Sequence, residues 1–299
     1  MRILIEAGGS LTAGYLIRGI QAVGHQCVAS DIDPTCFGRF LADDFIRVPV
    51  KDAPGLWETM LDLLLEANVE MVLPSLDETL LGWSQRKELF RDHGIQVVTS
   101  VPETVETFQD KWLTYQFFKA FGVPTPPTSL QQDYPLVKPR MGRGAQGVAV
   151  PAGPVSMEGM ISQVLVPGVE YSVDVLCDRD SRPVYIVPRK RIGVREGKST
   201  GGVVVNHPRI TTWVTRICEA ISFQGPINLQ CFETPDGDIQ FIEINPRVAG
   251  GMALSFAATE NWMGLLVDHW SDGQDLVAKP IQYGMEMKRY YAEVFVPAP

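Results

Sequence analysis

Gln230, Glu243 and Asn245 are the residues of this 299-residue chain whose types and spacing most directly suggest chemistry. They lie in two runs, 225–233 and 239–247, in which apolar and polar residues alternate, and such alternation predicts two β-strands. Side chains two apart on a strand point to the same side, so the three polar residues can share one face. One carboxylate and two amide oxygens suit Mg²⁺, with Mn²⁺ as an alternative ion, and Mg²⁺ in proteins usually also binds substrate phosphates. A hairpin whose polar face is only solvated is the alternative.

The turn between the two runs leaves two registers open. A two-residue loop at Asp236-Gly237 pairs Gln230 with Glu243 and keeps the oxygen ligands together. A type I turn with a bulge, which Pro235 permits, shifts the register by one residue and pairs Leu229 with Glu243. We favour the first register because it separates the oxygen ligands from the apolar residues. The apolar face is then expected to contain Ile227, Leu229, Cys231, Ile242 and Ile244.

Basic residues are placed where they can meet phosphates bound to such a metal. Arg247 follows the second strand directly, and its planar fork could reach the same phosphates. The strand 134–140 carries Lys138 and runs into the glycine-rich loop 141–147. A strand followed by such a loop predicts a flap whose backbone amides close over polyphosphate, with a solvated hairpin as the alternative. The donors expected from the flap are Lys138, Arg140, Arg143 and the backbone at Gly144.

Three further segments are candidates for binding a nucleotide or an anion. Residues 161–176 contain two apolar strands around a Pro-Gly bend and predict an adenine slot at Val164–Val166. Glu170 would hold ribose hydroxyls there, or else be a surface carboxylate. Residues 188–202 are densely basic and interleaved with glycines, which predicts a second anion-binding loop facing the flap or a solvated charge run. The small residues at Gly250-Gly251 offer another anion cradle.

The first hundred residues alternate between strand-like and helix-like segments, which predicts an α/β fold with a parallel sheet. Asp77 and Glu78 follow the strand 70–74, and open α/β sheets bind ligands beyond the carboxyl ends of their strands. Both are candidates for holding a substrate amine, although we expect at least one to cap the next helix instead. The glycine turn 8–14 with Asp31 lacks the GxGxxG spacing, so NAD binding is disfavoured.

Composition limits the partners and the compartment. A net charge of −9 argues against a nucleic-acid or anionic-membrane partner. The five cysteines are scattered without a CxxC pair, which argues against disulfides and zinc and indicates a reducing cytoplasm. The sequence contains no signal peptide and no run of transmembrane length, so we expect a cytoplasmic protein. The apolar last strand, 285–296, and the helix carrying Trp262 and Trp270 leave room for a homodimer face.

Taken in order, these motifs resemble the ATP-grasp superfamily, especially its carbamoyl-phosphate-synthase large-subunit-like and carboxylate–amine ligase branch. The landmarks are an Asp-Lys helix, a Val-Lys-Pro strand with a glycine flap, a Gly-x-Glu-Tyr-Ser-Val-Asp segment, a basic Gly-Lys-Ser loop and the Gln…Glu-x-Asn-Pro-Arg hairpin. The resemblance implies a Rossmann-like pre-ATP-grasp domain at 1–105. It also implies an ATP-grasp domain at 106–299 with two α+β subdomains, of which the smaller lid covers about 112–165.

The resemblance also implies a role for each candidate residue. The nucleotide would be bound by Lys111, Lys138, Arg143, Gly144, Gln163, Val164, Leu165, Val166 and Glu170. The metal would be bound by Gln230, Glu243 and Asn245, and the substrates by Asp77, Glu78, Gly250 and Gly251. Catalysis would depend on Arg247, Lys198 and Arg191. Gln163 stands where relatives often carry an acid, and Gln230 replaces the acidic first metal ligand of many relatives.

The implied reaction joins a small carboxylic acid, amino-acid-like in the simplest case, to an amine. ATP would convert the acid to an acyl phosphate, and the amine would displace phosphate to give an amide or peptide bond, with ADP and phosphate released. Three alternatives stay open. They are a kinase-type enzyme that releases an acyl or carbamoyl phosphate, a nucleotide-binding regulatory protein without turnover, and an NAD-dependent oxidoreductase.

Overall fold

The computed structural model describes residues 1–195, 198–290 and 292–296, with the side chains of residues 194, 195 and 198 outside the described part. The first hundred residues form a parallel sheet with the strand order β3-β2-β1-β4-β5. Its elements are β1 (Arg2–Ile5), α1 (Ala13–Ala22), β2 (Gln26–Asp31), α2 (Gly38–Leu41), β3 (Asp44–Arg47), α3 (Leu56–Glu66), β4 (Met71–Leu73), α4 (Asp77–Gln85), α5 (Lys87–Asp92) and β5 (Gln96–Val97).

The strands of this sheet are short apolar runs because both faces of the sheet are covered. Ile3 and Ile5 pack into one core cluster, and Leu4, between them, packs into another. The first cluster also contains Trp262 and Trp270, so the N-terminal sheet packs directly against the C-terminal part of the chain. The predicted α/β class is confirmed.

A small antiparallel sheet with the order β6-β8-β7 follows. Its neighbourhood contains α6 (Pro102–Gln109), α7 (Lys111–Ala120), β6 (Thr128–Ser129), β7 (Leu136–Pro139) and β8 (Met160–Gln163). Asp110 lies between the two helices. Its carboxylate caps α7 by accepting hydrogen bonds from the backbone N–H groups of Trp112 and Leu113. The predicted division at residues 105 and 106 falls within α6, and that division and the extent of the lid remain predictions.

The remaining chain forms a six-stranded antiparallel sheet with the order β13-β12-β9-β10-β11-β14. Its elements are β9 (Val169–Cys177), β10 (Pro183–Arg195), β11 (Lys198–Val204), α8 (Pro208–Ala220), β12 (Gly225–Glu233), β13 (Ile239–Asn245), α9 (Ala253–Ala258), α10 (Trp262–Asp272) and β14 (Glu286–Lys288). The predicted α+β character of this half is confirmed.

The hairpin of β12 and β13 combines both registers expected from the sequence. At its tip the Gly237 N–H donates to the Thr234 carbonyl and Gly237 has a φ of 84°, so the turn is the bulged one that Pro235 permits. A second irregularity, opposite Gln230, restores the favoured pairing of Gln230 with Glu243. The expectation for Ile242 was wrong, since the bulge turns this side chain away from the apolar core and into a cavity.

Two other expectations were wrong. In the described part of the basic segment 188–202, the residues lie in the paired strands β10 and β11 and not in a loop, and within the described residues of 285–296 only β14 is a strand. Trp262 and Trp270 are only 0% and 5% exposed, so these two side chains fill the core, and a homodimer remains a prediction. No helix in the described ranges is long and apolar enough to cross a membrane.

Candidate functional site

A cavity of about 370 Å³, here called the flap pocket, lies between the small sheet and the hairpin of β12 and β13. The flap is the segment 140–150, which returns to the sheet where Ala149 pairs with Val137. The pocket is lined by Lys111, Leu136, Lys138, Pro139, Met141, Gly142, Arg143, Gly144, Ala145, Gln146, Val148, Gln163, Val164, Leu165, Val166, Glu170, Arg191, Gln230, Phe232, Ile242 and Glu243. All nine residues predicted to bind a nucleotide lie in this lining.

Lys138 is the most deeply placed cation of the flap pocket, with 6% exposure. Its ammonium donates to Gln163 Oε1 at 2.9 Å, and Gln163 Nε2 in turn donates to the Thr128 hydroxyl at 2.8 Å. Burial lowers the pKa of Lys138 to about 8, with a further lowering by Lys111 and an opposing effect of Glu243. Gln163 therefore orients a lysine, and its side-chain amide is engaged before any ligand arrives.

Lys111 lies at the start of α7 and connects the flap to the hairpin. Its ammonium donates to the Gly142 carbonyl at 2.8 Å and lies 3.5 Å from Glu243 Oε1. Arg140, expected to bind phosphate, instead forms an ion pair with Asp110, the residue that caps α7. The Asp110 carboxylate therefore engages the Arg140 guanidinium, which is not available for phosphate, whereas Lys111 and Lys138 line the pocket.

The predicted metal ligands come together, and a cation lies near each of them. Asn245 Oδ1 accepts from Arg247 at 3.2 Å, Gln230 Oε1 lies 3.5 Å from Arg191 Nη1, and Glu243 lies beside Lys111. This donor set of hard oxygens fits Mg²⁺. Within the described ranges no group of three or more His, Cys, Asp or Glu residues is placed to hold a metal. The set therefore fits an ion that takes its remaining ligands from phosphate and water.

Two nucleotide contacts expected from the sequence are already engaged within the protein. Glu170 forms an ion pair with Arg191, and burial raises the pKa of Glu170 while Arg191 opposes that shift. The Val164 N–H donates to the Pro127 carbonyl, so it is not available as an adenine donor. Lys198 begins β11, and its side chain lies outside the described residues.

Asp77 and Glu78 do not act as helix caps, since the first turn of α4 has no side-chain cap. Both Asp77 oxygens accept from Arg247, at 2.8 and 2.7 Å, so this acid is not available for a substrate amine. Glu78 pairs with Arg143 of the flap at 3.0 Å. Each acid thus connects the N-terminal sheet to a cation from the C-terminal part.

A second cavity of about 170 Å³, the arginine pocket, adjoins the flap pocket and shares Arg143, Gly144, Arg191, Gln230 and Glu243 with it. Its lining also includes Leu11, Ser172, Arg189, Ser199, Asn228, Asn245, Arg247, Ala249, Gly250, Gly251 and Arg289. The described lining therefore brings together five arginines and one carboxylate, that of Glu243. Such a site favours an anion.

The floor of the arginine pocket is a buried network that the sequence did not reveal. The Asp174 carboxylate is fully buried and accepts from Arg189 Nε at 2.5 Å, Asn228 Nδ2 at 2.7 Å and the Ser255 hydroxyl at 2.5 Å. A Cβ atom at Gly251 would lie 2.7 Å from the Arg189 guanidinium, so a larger residue there would have to displace that guanidinium. The only sequence signal was Asp174 inside the Gly-x-Glu-Tyr-Ser-Val-Asp segment.

A third cavity of about 680 Å³, the N-terminal pocket, lies beyond the carboxyl ends of β1, β2 and β4. Its described charged residues are the acids Glu6, Asp31, Asp33, Asp52 and Glu78 and the cations Lys51 and Arg143. Glu6 was not predicted, and it accepts hydrogen bonds from Trp83, Thr79 and the backbone of Ser75. Burial raises the pKa of Glu6, although these donors oppose the shift.

Comparison with known proteins agrees with this geometry. A family profile described as the PylC-like N-terminal domain matches residues 3–98, and one described as ATP-grasp in the biosynthetic pathway with Ter operon matches residues 156–292. The carbamoyl phosphate synthase large chain of Methanothermobacter thermautotrophicus is 26% identical, with 56% of this chain and 19% of that protein covered. The chain therefore spans about a fifth of the length of that relative.

Solved structures share the fold at low identity. N5-carboxyaminoimidazole synthetase from Staphylococcus aureus, complexed with ADP, superposes with a TM-score of 0.76 at 16% identity, covering 97% of this chain and 82% of that one. The biotin carboxylase domain dimer of Hydrogenobacter thermophilus 2-oxoglutarate carboxylase, with MgADP and bicarbonate, gives 0.73 at 18%, covering 95% and 73%. The ordered motifs, the two profiles and the shared fold lead to one conclusion: residues 156–292 match an ATP-grasp family, and a PylC-like N-terminal domain precedes them.

Proposed function

We propose that this protein is an ATP-dependent carboxylate–amine ligase that activates a small carboxylic acid as an acyl phosphate. One observation carries the proposal: Lys111, Lys138 and Glu243 meet in the flap pocket, directly beside an arginine-lined cavity that shares its wall. A phosphoryl donor and an anionic acceptor bound in these two cavities would be neighbours. Positioning of this kind, with charges that offset the transferred phosphoryl group, accounts for most catalysis of phosphoryl transfer.

In this proposal the flap pocket binds ATP. The backbone and side chains of Val164–Val166 cover the base, and the ammonium groups of Lys111 and Lys138 meet the phosphates. Arg143 and the backbone at Gly144 close over the phosphates from the flap, and closure excludes water that would hydrolyse an acyl phosphate. Glu170 holds Arg191 in place and is the candidate for the ribose hydroxyls.

Gln230, Glu243 and Asn245 would hold Mg²⁺, which when bound offsets the negative charge of the phosphates. Lys111, Arg191 and Arg247 now lie near these three oxygens, so we expect the cations to turn toward the phosphates when the ion binds. Arg247 is held in orientation by Asp77 and would bind the transferred phosphoryl group. Gly250 and Gly251 would present backbone to the acid.

The proposed reaction has two steps. A carboxylate oxygen of the acid in the arginine pocket attacks the γ-phosphorus of ATP, and the bond to the ADP oxygen breaks. An amine then attacks the acyl carbon, phosphate leaves with the bonding electrons, and the amine loses a proton. The acidic N-terminal pocket is the candidate entry for the amine, where Glu78 would exchange its ion pair with Arg143 for the amine. An amide or peptide bond between amino-acid-like substrates is part of this proposal.

Hydroxylamine tests the proposal, because it intercepts acyl phosphates as hydroxamates. The protein is incubated with ATP, Mg²⁺ and hydroxylamine against pools of amino and other carboxylic acids, and hydroxamate and ADP are measured together. We expect equal amounts of both products with at least one pool. ATP binding without ADP formation in any pool would contradict the ligase and favour a nucleotide-binding protein without turnover.

A second candidate is an enzyme that activates bicarbonate or releases its acyl phosphate without an amine acceptor. Its support is the small volume of the arginine pocket, about 170 Å³, together with the carboxylase and carbamoyl phosphate synthase relatives. ADP release that depends on bicarbonate alone would distinguish it from the ligase.

A reducing cytoplasm fits either function, since all five cysteines are buried free thiols.

A further inference from the structure

Among the described residues, Arg289 is the arginine of the arginine pocket whose charge is met by carbonyl oxygens and by no carboxylate. Its Nε donates to the Ser199 carbonyl at 3.2 Å, and its Nη2 donates to the Gly250 carbonyl. Its backbone N–H is bonded to the Thr200 carbonyl, so the residue is tied to β11 on one side and to the Gly250 turn on the other. A guanidinium has five N–H donors, and these two carbonyls use only part of them.

The other four arginines of this pocket each form an ion pair with an acid. The pairs are Arg189 with Asp174, Arg191 with Glu170, Arg247 with Asp77 and Arg143 with Glu78. Among the described residues no carboxylate pairs with Arg289. The pocket therefore carries one positive charge, at a fixed position, for which the described chain supplies no counter-charge.

The surroundings of Arg289 make this charge unfavourable without a ligand. Partial burial lowers the pKa of Arg289, and the nearby Arg189 lowers it further. An arginine stays protonated in proteins, so the site cannot relieve the repulsion by losing a proton. An anion bound between the two guanidinium groups would relieve it, and a carboxylate or phosphate oxygen pair matches the guanidinium fork.

We propose that the acid activated by this protein carries a second anionic group, and that Arg289 binds that group. The inference rests on the proposed function, which puts the reacting carboxylate near Glu243, Asn245 and Arg247, whereas Arg289 is held at the Ser199 and Gly250 carbonyls of the same pocket. At about 170 Å³ the arginine pocket has less than half the volume of the adjoining flap pocket, about 370 Å³, so we expect a short acid. The class is a short dicarboxylic acid, an amino dicarboxylic acid or a short phospho-acid.

Matched pairs of acids test this inference in the hydroxamate assay. The pairs are succinate with succinamate, L-aspartate with L-asparagine, and 3-phosphoglycerate with glycerate, and the third pair separates phosphate from carboxylate. We expect the member with the extra anionic group to have the higher kcat/KM. The R289Q variant should raise KM for that member by about 10- to 100-fold, because it removes a charge-assisted hydrogen bond. It should leave KM for ATP unchanged.

Lys288→Gln is the matched control, because it removes a neighbouring positive charge from a side chain that is 69% exposed and pairs with Glu286. It should leave both members of every pair unchanged. Arg289→Lys keeps the charge but loses the fork, so its KM should lie between those of the wild type and R289Q. Thermal unfolding of each variant checks that the fold is retained, and R289K carries the test if R289Q does not fold.

Two results would overturn the inference and leave the ligase proposal standing. One is a preference for the monoanionic members or for bicarbonate, and the other is an equal effect of R289Q on both members of each pair. If no acid yields hydroxamate, binding of the same pairs is measured by calorimetry with Mg²⁺ and a non-hydrolysable ATP analogue. Preferential, Arg289-dependent binding of the dianion then supports Arg289 as the ligand of the second anionic group while the ligase proposal fails, and its absence overturns the inference.

Discussion

Lys138 should make both the stability and the nucleotide affinity of this protein depend on pH. Burial lowers its pKa from 10.5 to about 8, a shift worth about 3 kcal/mol of unfavourable burial when the ammonium is charged. Between these two values the unfolded chain binds a proton that the folded protein has released. The free energy of unfolding contributed by this residue therefore rises as the pH rises through 8, and the rise is complete near 10.5.

The Lys138→Met variant isolates this contribution. The difference in free energy of unfolding, wild type minus variant, should increase by about 2 kcal/mol between pH 7 and pH 9.5. At pH 7 the variant gains from losing a buried charge but leaves Gln163 Oε1 without its donor, at a cost of about 1–3 kcal/mol. The change with pH is therefore a cleaner measure than the value at one pH. Urea unfolding without nucleotide at pH 7, 8 and 9.5 measures it.

The same variant should lose affinity for MgATP, because the charged ammonium is expected to meet the phosphates. In the wild type, ATP binding above pH 8 should take up a proton, which calorimetry in buffers of different ionisation enthalpy detects. Lys87 is the matched control: burial also lowers its pKa to about 8, but it donates to Thr99 and Gln224, outside the flap pocket. Lys87→Met should reproduce the pH effect on unfolding and leave ATP affinity intact. Parallel stability curves for wild type and Lys138→Met would refute the reasoning.

Three further outcomes test the site and its supports. Glu243→Gln should lower Mg²⁺-dependent ADP formation by at least about 100-fold, because it removes a metal ligand. Glu233→Gln on the adjacent strand is the control and should retain activity, so equal rates in both variants would contradict the metal assignment. Arg189→Met should cost about 3–5 kcal/mol in urea unfolding, because the Asp174 carboxylate stays buried without its cation, and a cost below 1 kcal/mol would contradict that role. Gly168→Ala should lower the midpoint of thermal unfolding, because Gly168 has a φ of 137° and a Cβ atom would lie 2.0 Å from the Glu233 carbonyl oxygen. An unchanged midpoint would show that the backbone at this strand end can shift without cost.

Local patterns sufficed for the elements that carry the site. The alternation in 225–233 and 239–247 predicted the hairpin, and the favoured pairing of Gln230 with Glu243 is present. The glycine flap and the lysine at its base were also predicted from short segments, and Lys138 lines the pocket under that flap. Strand alternation and glycine turns are properties of neighbouring residues, so the sequence carries them without reference to the rest of the fold.

Expectations failed where the partner of a charge lies far away along the chain. Asp77 was predicted to bind a substrate amine, but both of its carboxylate oxygens accept hydrogen bonds from Arg247, which lies 170 residues later in the chain. Arg140 was a candidate phosphate ligand, but packing puts it against the cap of α7. The bulge that moves Ile242 into the pocket also escaped prediction, because the turn at Pro235 and the ladder beside β9 impose different registers on one hairpin.

By itself, the sequence determined the class of fold, motifs that resemble those of the ATP-grasp superfamily and three oxygen-bearing side chains on one face of a hairpin. Only the tertiary structure decided which cations are neutralised by the protein and which remain for a ligand. Charge type is a property of one residue, whereas neutralisation depends on which distant carboxylate the packing brings within a few ångströms. Arg189 and Arg289 have the same side chain and line the same cavity, yet a buried aspartate meets one while only carbonyl oxygens in the described chain meet the other.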